Sequence, residues 1–169
     1  MGAYTTIDDP SAYFQTATYT GNSSTQTITN DGNSDLQPDL IWIKARSSST
    51  YNHALQDTSR GLNLVLGSNT TNADGDVGNN VTSVNSDGFA LGDWGHTNYS
   101  SVTYAAWQWK ANGGTTSSNT DGDLTSTVQF NSTAKFSIIT YTGKDPIEPL
   151  DIGHGMGEKP DVVWVKNRD

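Results

Sequence analysis

One stretch of the chain occurs twice, and this repeat constrains the fold more than any other feature of the sequence. Residues between Phe14 and Arg46 return between Phe136 and Arg168 at a constant offset of 122, the difference between 14 and 136. The identical first-copy positions are Phe14, residues 18–21, Pro38, Asp39, Trp42, Lys44 and Arg46. A fixed offset without gaps indicates an internal repeat, so we expect the two copies to form similar strands.

The repeat also predicts how the chain is divided. Residues 1–11 are a polar lead, residues 12–133 form one complete unit, and residues 134–169 are a partial second copy. The partial copy contains two expected strands, at residues 136–141 and 161–166. An isolated strand pair is marginal in water, so we expect it to be covered by its own sandwich or by a neighbouring subunit. We prefer the second arrangement, because the linker-like residues 111–123 would let residues 124–169 swing out.

The pattern of apolar residues predicts an all-β fold. Leu40, Ile41, Trp42 and Ile43 form the strongest strand signal, and residues 102–110 alternate in the manner of a second strand. Several such short runs, separated by turn residues, are typical of an antiparallel β-sandwich or jelly roll. An Asp-Gly pair at residues 87–88 predicts a tight hairpin. We expect the core to contain Ile41, Trp42, Phe89 and Trp107.

Charge and composition exclude several classes of partner. The net charge is −9, from 9 basic and 18 acidic residues. Nucleic-acid-binding proteins carry clustered Lys and Arg, so neither nucleic acid nor an anionic membrane surface is an expected partner. The chain has no cysteine, so disulfides contribute nothing to its stability.

An ordered set of short motifs resembles a known family. The set comprises Tyr-Thr-Gly at 19–21, Gln-Pro-Asp-Leu-Ile-Trp-Ile-Lys at 37–44, Ser-Arg-Gly at 59–61, Ser-Asn-Thr at 68–70, Asn-Ser-Asp-Gly-Phe-Ala-Leu-Gly at 85–92 and Tyr-Ala-Ala-Trp-Gln-Trp-Lys-Ala at 104–111. It resembles a repeated domain of tail-fibre and other virion proteins, frequent in phages of marine bacteria. The resemblance implies a jelly roll of the concanavalin A/laminin G type. It also implies a structural or receptor-facing module, with no catalytic residues to carry over.

A polar loop rich in aromatic residues is a candidate ligand site. Trp94, His96, Asn98 and Tyr99 lie close together in the sequence. Aromatic rings stack on sugar faces, while Asn and His side chains hydrogen-bond hydroxyl groups. The competing interpretation is that Trp94 and Tyr99 pack against the rim of the sandwich, since both residue types are commonly half-buried.

A second loop is a candidate metal site. Asp74 and Asp76 offer the hard oxygen ligands that Ca²⁺ prefers, without the spacing of an EF-hand. Asp is also an ordinary turn residue. We expect the chain to fold without a cofactor, because its aromatic and β-branched residues can build a core. If Ca²⁺ binds, Asp74 and Asp76 are the expected ligands.

These observations predict a structural protein of a phage particle. The expected role is a tail fibre, capsid decoration or similar appendage, made in the host cytoplasm and carried on the extracellular virion. We expect it to contact other virion subunits and to form a homo-oligomer. The alternative is a lectin-like carbohydrate-binding module that recognises a host surface glycan. A glycan-degrading enzyme ranks third, and we expect no enzymatic activity, because the sequence contains no recognised catalytic motif.

Overall fold

A computed structural model describes residues 7–145 and 149–169 of the chain. Its strands are β1 (Phe14–Thr20), β2 (Gln26–Ile28), β3 (Leu40–Ala45), β4 (Ala54–Asp57), β5 (Leu64–Val65), β6 (Gly75–Asp76), β7 (Val81–Asn85), β8 (Gly88–Leu91), β9 (Thr103–Trp109), β10 (Ser117–Asn119), β11 (Ser126–Asn131) and β12 (Phe136–Tyr141). A 3-10 turn (Pro10–Ala12) and a short helix, α1 (Gly95–Asn98), complete the described elements. No helix in the described ranges is long and apolar enough to cross a membrane.

Two antiparallel sheets enclose the core. The first has the strand order β1-β9-β3-β4, and the second has the order β2-β8-β7. One cluster of buried side chains draws on both sheets: Ile28, Ile41, Ile43, Ala45, Val81, Phe89, Leu91, Tyr104 and Ala106. The all-β fold with antiparallel sheets is therefore confirmed, while the jelly-roll connectivity stays a prediction.

The hairpin predicted at residues 87–88 joins β7 to β8. Asn85 pairs with Gly88, whose backbone φ is 107°. That angle lies in the region that glycine adopts without steric cost. The turn presents Phe89, which is fully buried, to the core.

Strand β3 places its large residues on two different faces. Ile41 and Ile43 are 1% and 0% exposed, whereas Trp42 is half-buried. Successive side chains of a strand point to opposite faces, so Trp42 lies on the side of the sheet away from the core. It packs there against Trp107, its neighbour on β9, with ring centroids 5.7 Å apart. The expected core positions of Ile41 and Phe89 are confirmed, but those of Trp42 and Trp107 are wrong.

The segment at residues 111–123 is not a free linker. The buried carboxylate of Asp39 accepts hydrogen bonds from the backbone N–H groups of Ala111, Gly113 and Gly114 at 2.7–2.9 Å. Gln129 of β11 also accepts from Gly114, at 2.9 Å. Strand β10 lies within the same segment and pairs with β11. These bonds hold residues 124–131 against the rest of the first unit. They contradict the expectation that residues 124–169 move away from it as one piece.

The two expected strands of the second copy behave differently. Residues 136–141 form β12, which pairs with β11 in a third sheet of order β10-β11-β12. This sheet crosses the predicted division between residues 133 and 134. Residues 161–166 form no strand in the described part of the chain, so that expectation is wrong. Their first-copy counterpart, β3, lies between β4 and β9, and pairing of this kind is what stabilises a strand.

The lead is tied to the first unit where it is described. Asp9 accepts hydrogen bonds from the Ser11 N–H at 2.9 Å and from the Ser34 hydroxyl at 2.6 Å. The Ser11 hydroxyl also donates to Asp9, at 2.6 Å. This bond, then the Ser34 bond and the Ser11 N–H bond, lower the pKa of Asp9, because they stabilise its charged form. The rest of the predicted lead, residues 1–6, lies outside the described residues.

Candidate functional site

Three of the four predicted sugar-binding residues form one aromatic cluster. Trp94 and His96 stack in parallel, with ring centroids 4.4 Å apart and an interplanar angle of 10°. Tyr51 lies against both His96 and Tyr99, at 5.5 Å and 5.7 Å. Tyr99 is 51% exposed, so the cluster presents an aromatic surface to solvent.

The backbone under this cluster is rigidly held. The buried Tyr104 hydroxyl donates to the Gly95 carbonyl and accepts from the Tyr99 N–H, each at 2.9 Å. Burial lowers the pKa of His96, because the charged ring is poorly solvated there. A neutral imidazole at neutral pH can both donate and accept one hydrogen bond, as a sugar hydroxyl requires.

Asn98 has a different role from its three neighbours. Its side chain is fully buried. The amide NH₂ donates to the carbonyls of Ser24 and Gly92, each at 2.6 Å, and the amide oxygen accepts from the Gln26 side chain at 2.6 Å. The hydrogen-bonding groups of Asn98 therefore bind the protein itself, and they are not presented to a sugar.

The predicted calcium ligands do not converge. Asp74 forms ion pairs with Arg60 at 3.5 Å and with Arg168 at 2.8 Å. Burial alone would raise the pKa of Asp74, but the Arg168 hydrogen bond and the charges of both arginines outweigh it and lower that pKa. Asp76 is exposed on β6. Within residues 7–145 and 149–169, no group of three His, Cys, Asp or Glu side chains is placed to hold a metal ion.

The contacts of Asp74 anchor the end of the second copy. The Arg168 carbonyl accepts from the Asp74 N–H at 2.9 Å, in addition to the ion pair between the side chains. Lys166 also donates to the Asn72 carbonyl at 3.3 Å. Arg60, which ion-pairs with Asp57 at 2.6 Å, fixes the other side of the carboxylate. The loop predicted to hold metal therefore binds the C-terminal segment.

A large groove lies elsewhere, beside the outer face of the first sheet. Its volume is about 990 Å³, and we call it the tryptophan groove. Its walls come from the outer face of β3, from the end of β9, from β12 and from residues 158–166. Four aromatic side chains line it: Trp42, Trp109, Phe136 and Trp164.

The aromatic rings of the tryptophan groove contact one another across the two copies of the repeat. Trp164 packs edge-on against Trp42 at 5.5 Å and against Trp109 at 6.0 Å. Phe136 stacks on Trp109 at 6.2 Å. Trp42 and Trp164 occupy equivalent positions of the two copies, so the second copy rests on the first through their equivalent tryptophans.

Two polar contacts lie at or beside the groove. The Trp42 indole donates to Nδ1 of His53 at 2.8 Å. Burial, and then the charge of Lys44, lowers the pKa of His53. At the rim, Lys135 and Glu158 form an exposed ion pair at 2.9 Å. Sequence reasoning did not find this groove, although the alternation in β9 and the repeated tryptophan were signals for it.

Four consecutive residues beside the groove expose apolar side chains. Val162, Val163, Trp164 and Val165 are each between 62% and 73% exposed. Their first-copy counterparts are Leu40 to Ile43, of which the two isoleucines are fully buried. The sequence therefore repeats a core strand, but the structure presents its second copy at the surface.

Comparison with known proteins places nearly the whole chain in one family. No curated protein and no solved structure matches the chain. The family described as "Domain of unknown function (DUF7483)" matches residues 9–169, which include both copies of the repeat. The chain therefore belongs to the DUF7483 family.

Proposed function

We propose that this protein is a structural component of a bacteriophage virion, such as a tail fibre, capsid decoration or appendage module. The observation that carries the proposal is the exposed run of Val162, Val163, Trp164 and Val165 beside the tryptophan groove. Contiguous apolar surface of this kind marks a contact site for another protein. The motif resemblance to virion domains and the net charge of −9, which favours solubility of a particle-borne protein, support the same role.

The proposal assigns the two copies different tasks. The first copy is a closed sandwich with a continuous core. The second copy is anchored to it through Arg168, Lys166 and β12, and it presents an unpaired apolar segment. A folded sandwich that exposes an unpaired apolar segment can bind neighbouring subunits of a particle through that segment. No step of this role requires catalysis.

Antibody labelling of purified particles tests the virion role. An antibody raised against the full chain should label particles of the phage that encodes it, and the protein should co-sediment with those particles. Particles that carry neither the label nor the protein would refute the proposal. A chain with Trp164→Ala, which removes the most exposed aromatic residue of the segment, should be incorporated less.

A second candidate function, recognition of a host surface glycan, is favoured by the aromatic cluster. The parallel stack of Trp94 on His96 and the exposed ring of Tyr99 provide the flat aromatic surface on which sugars stack. A glycan array with the full chain tests this role. A signal lost in Trp94→Ala and kept in Trp164→Ala would support binding at this cluster, whereas the absence of any signal would refute it.

A further inference from the structure

We propose that β1 pairs antiparallel with β1 of a second copy of this chain, so that the first sheets of the two copies form one continuous sheet. The inference goes beyond the proposed function, which rests on residues 162–165, because it concerns another surface and names what binds there. It does not depend on the virion role.

Strand β1 lies at an edge of the first sheet. The strand order of that sheet is β1-β9-β3-β4, and β1 pairs with β9 along all seven residues from Phe14 to Thr20. In the described part of the chain, no strand pairs with the other side of β1. An edge of this kind offers N–H and C=O groups to an incoming strand.

The ladder between β1 and β9 determines which backbone groups face outwards. Lys110 donates to the Tyr13 carbonyl at 2.9 Å, and Gly21 donates to the Val102 carbonyl at 2.8 Å. Hydrogen-bonded positions alternate along an antiparallel ladder, so the odd-numbered residues from 13 to 21 bond to β9. The even-numbered residues from 14 to 20 therefore direct their N–H and C=O groups away from β9.

These outward groups are available to a second strand. Within residues 7–145 and 149–169, the Thr20 carbonyl accepts from the Gln26 side chain at 3.3 Å, and the other outward main-chain groups of β1 have no hydrogen-bond partner. Phe14 is 39% exposed, and Thr16, Thr18 and Thr20 are exposed as well. Because a carbonyl oxygen can accept a second hydrogen bond, a strand can pair along the whole edge.

Strand β1 also lacks the features that keep edge strands apart. Natural edges are protected by charged side chains, proline, bulges or covering segments. Residues 14–20 contain neither a charge nor a proline, and their register with β9 is continuous. The other edges of the two core sheets differ. The register of β7 shifts between Val81 and Ser83, and β2 has only three residues. On β4, Leu55 is hydrogen-bonded to Leu66 in both directions.

The sequence of β1 is complementary to itself. An antiparallel second copy centred on Ala17 places Thr16 opposite Thr18 and Phe14 opposite Thr20. Outward residues then meet outward residues, and about eight main-chain hydrogen bonds can form. Threonine pairs and aromatic–threonine pairs are favourable in these opposed positions, and no like charges meet.

The opposite face of β1 also accepts this arrangement. Ala17 and Tyr19 pack against the core of their own copy. In the centred register, the small side chain of Ala17 faces Ala17 of the second copy, so no bulky residue lies at the two-fold axis. The interface is the same surface on both copies and closes after two of them. A second copy is the occupant we infer, because the uncharged side chains of β1 contain no group that would select another sequence.

Sedimentation velocity of the full chain at increasing concentration is the first measurement. We expect a monomer–dimer equilibrium with a dissociation constant of about 10–500 µM, because one strand pair is smaller than a standard interface. The dimer should become more stable as salt is added, because salt screens the net charge of −9 on each copy. Thr18→Pro removes an outward N–H group at a position where an edge strand tolerates proline, and it should weaken the dimer at least about tenfold. Val163→Asp, outside this edge, should leave the dimer unchanged.

Two double variants test the self-pairing and its register. Thr16→Lys with Thr18→Lys places like charges opposite each other, so it should weaken the dimer at least about threefold, although it lowers the net negative charge. Thr16→Lys with Thr18→Asp places opposite charges across the two-fold axis and should dimerise at least as well as the unsubstituted chain. Circular dichroism checks that each variant is folded. Hydrogen exchange should show that the Thr16 and Thr18 amides become protected as the dimer forms.

Several results would overturn the inference. One is a chain that stays monomeric at about 1 mM, and protected Thr16 and Thr18 amides in that monomer would show that another segment covers this edge. Another is a dimer that Thr18→Pro and the double-lysine variant both leave intact, or one that Val163→Asp abolishes. Equal dimerisation of the two double variants would exclude the register centred on Ala17. None of these results bears on the virion role, which particle labelling tests separately.

Discussion

Replacement of Asp39 by Asn tests how the first unit holds residues 111–131. One carboxylate oxygen of Asp39 accepts from the N–H groups of Ala111 and Gly113 at 2.7 Å and 2.9 Å. The other accepts from the Gly114 N–H and the Thr58 hydroxyl, each at 2.8 Å. The side chain is fully buried, so the full set of bonds depends on one negative charge.

The cost of Asp39→Asn follows from these four bonds. The least costly orientation places the new NH₂ group near Thr58, whose hydroxyl can rotate to accept from it. Gly114 then loses this acceptor but keeps its bond to Gln129. The other two bonds become neutral and weaker. With a hydrogen bond to a charged group contributing about 1.5–3 kcal/mol, the total cost should be about 2–4 kcal/mol.

Urea unfolding, followed by tryptophan fluorescence, is the measurement. With a slope of about 2 kcal/mol per molar urea, the midpoint should fall by about 1–2 M. Asp161→Asn is the matched control, because Asp161 is the repeat counterpart of Asp39 in the same Pro-Asp context but is exposed. It should change the free energy of unfolding by less than about 0.5 kcal/mol. Equal effects of the two substitutions would refute the reasoning.

Three further predictions use other contacts. In the same urea assay, Ile41→Ala should lower the free energy of unfolding by about 2–5 kcal/mol, and its repeat counterpart Val163→Ala by less than about 0.5 kcal/mol. Similar values for the two variants would contradict the burial of Ile41 and the exposure of Val163. Asn98→Ala should lower the free energy of unfolding by about 2–4 kcal/mol, since it leaves the buried Gly92 carbonyl and the part-buried Ser24 carbonyl without this donor. An unchanged melting temperature would show that this amide is dispensable. The pKa of Asp74 is lowered in the folded state, so its stabilisation is present above about pH 3.8 and is lost as the pH falls further. Arg168→Ala should therefore weaken the loss of unfolding free energy that the native protein shows as the pH falls through this range. An unchanged pH dependence of the unfolding free energy would argue against the ion pair.

The strands of the first copy could be predicted because each combines a local apolar pattern with a partner in the same chain. The runs at residues 40–43 and 102–110 both form strands, and the Asp-Gly pair forms the expected turn. The orientation of Trp42 could not be predicted, because four consecutive apolar residues do not show which face meets the core. In the structure Ile41 and Ile43 face the core, and the Trp42 ring on the opposite face contacts Trp164 of the second copy.

The candidate site was only partly predictable for a similar reason. The neighbours of Asn98 in the sequence indicated an exposed polar loop. Its actual partners, Gln26, Ser24 and Gly92, lie up to 74 residues away in the sequence. A sequence pattern does not reveal that a side-chain amide of α1 joins the start of β2 to the end of β8. The same limit applies to Asp39, whose role depends on backbone N–H groups more than 70 residues later.

The repeat shows directly how far local sequence determines a strand. Residues 40–43 and 162–165 have closely similar sequences, yet the first run is a central strand and the second is unpaired. The difference lies in the neighbours: β3 has β4 and β9 beside it, and the described chain provides no such pair for its counterpart. Strand formation at residues 162–165 therefore depends on a partner strand. This segment is apolar, exposed and anchored at Arg168, so an apolar sequence pattern without a paired neighbour is not sufficient to form a strand.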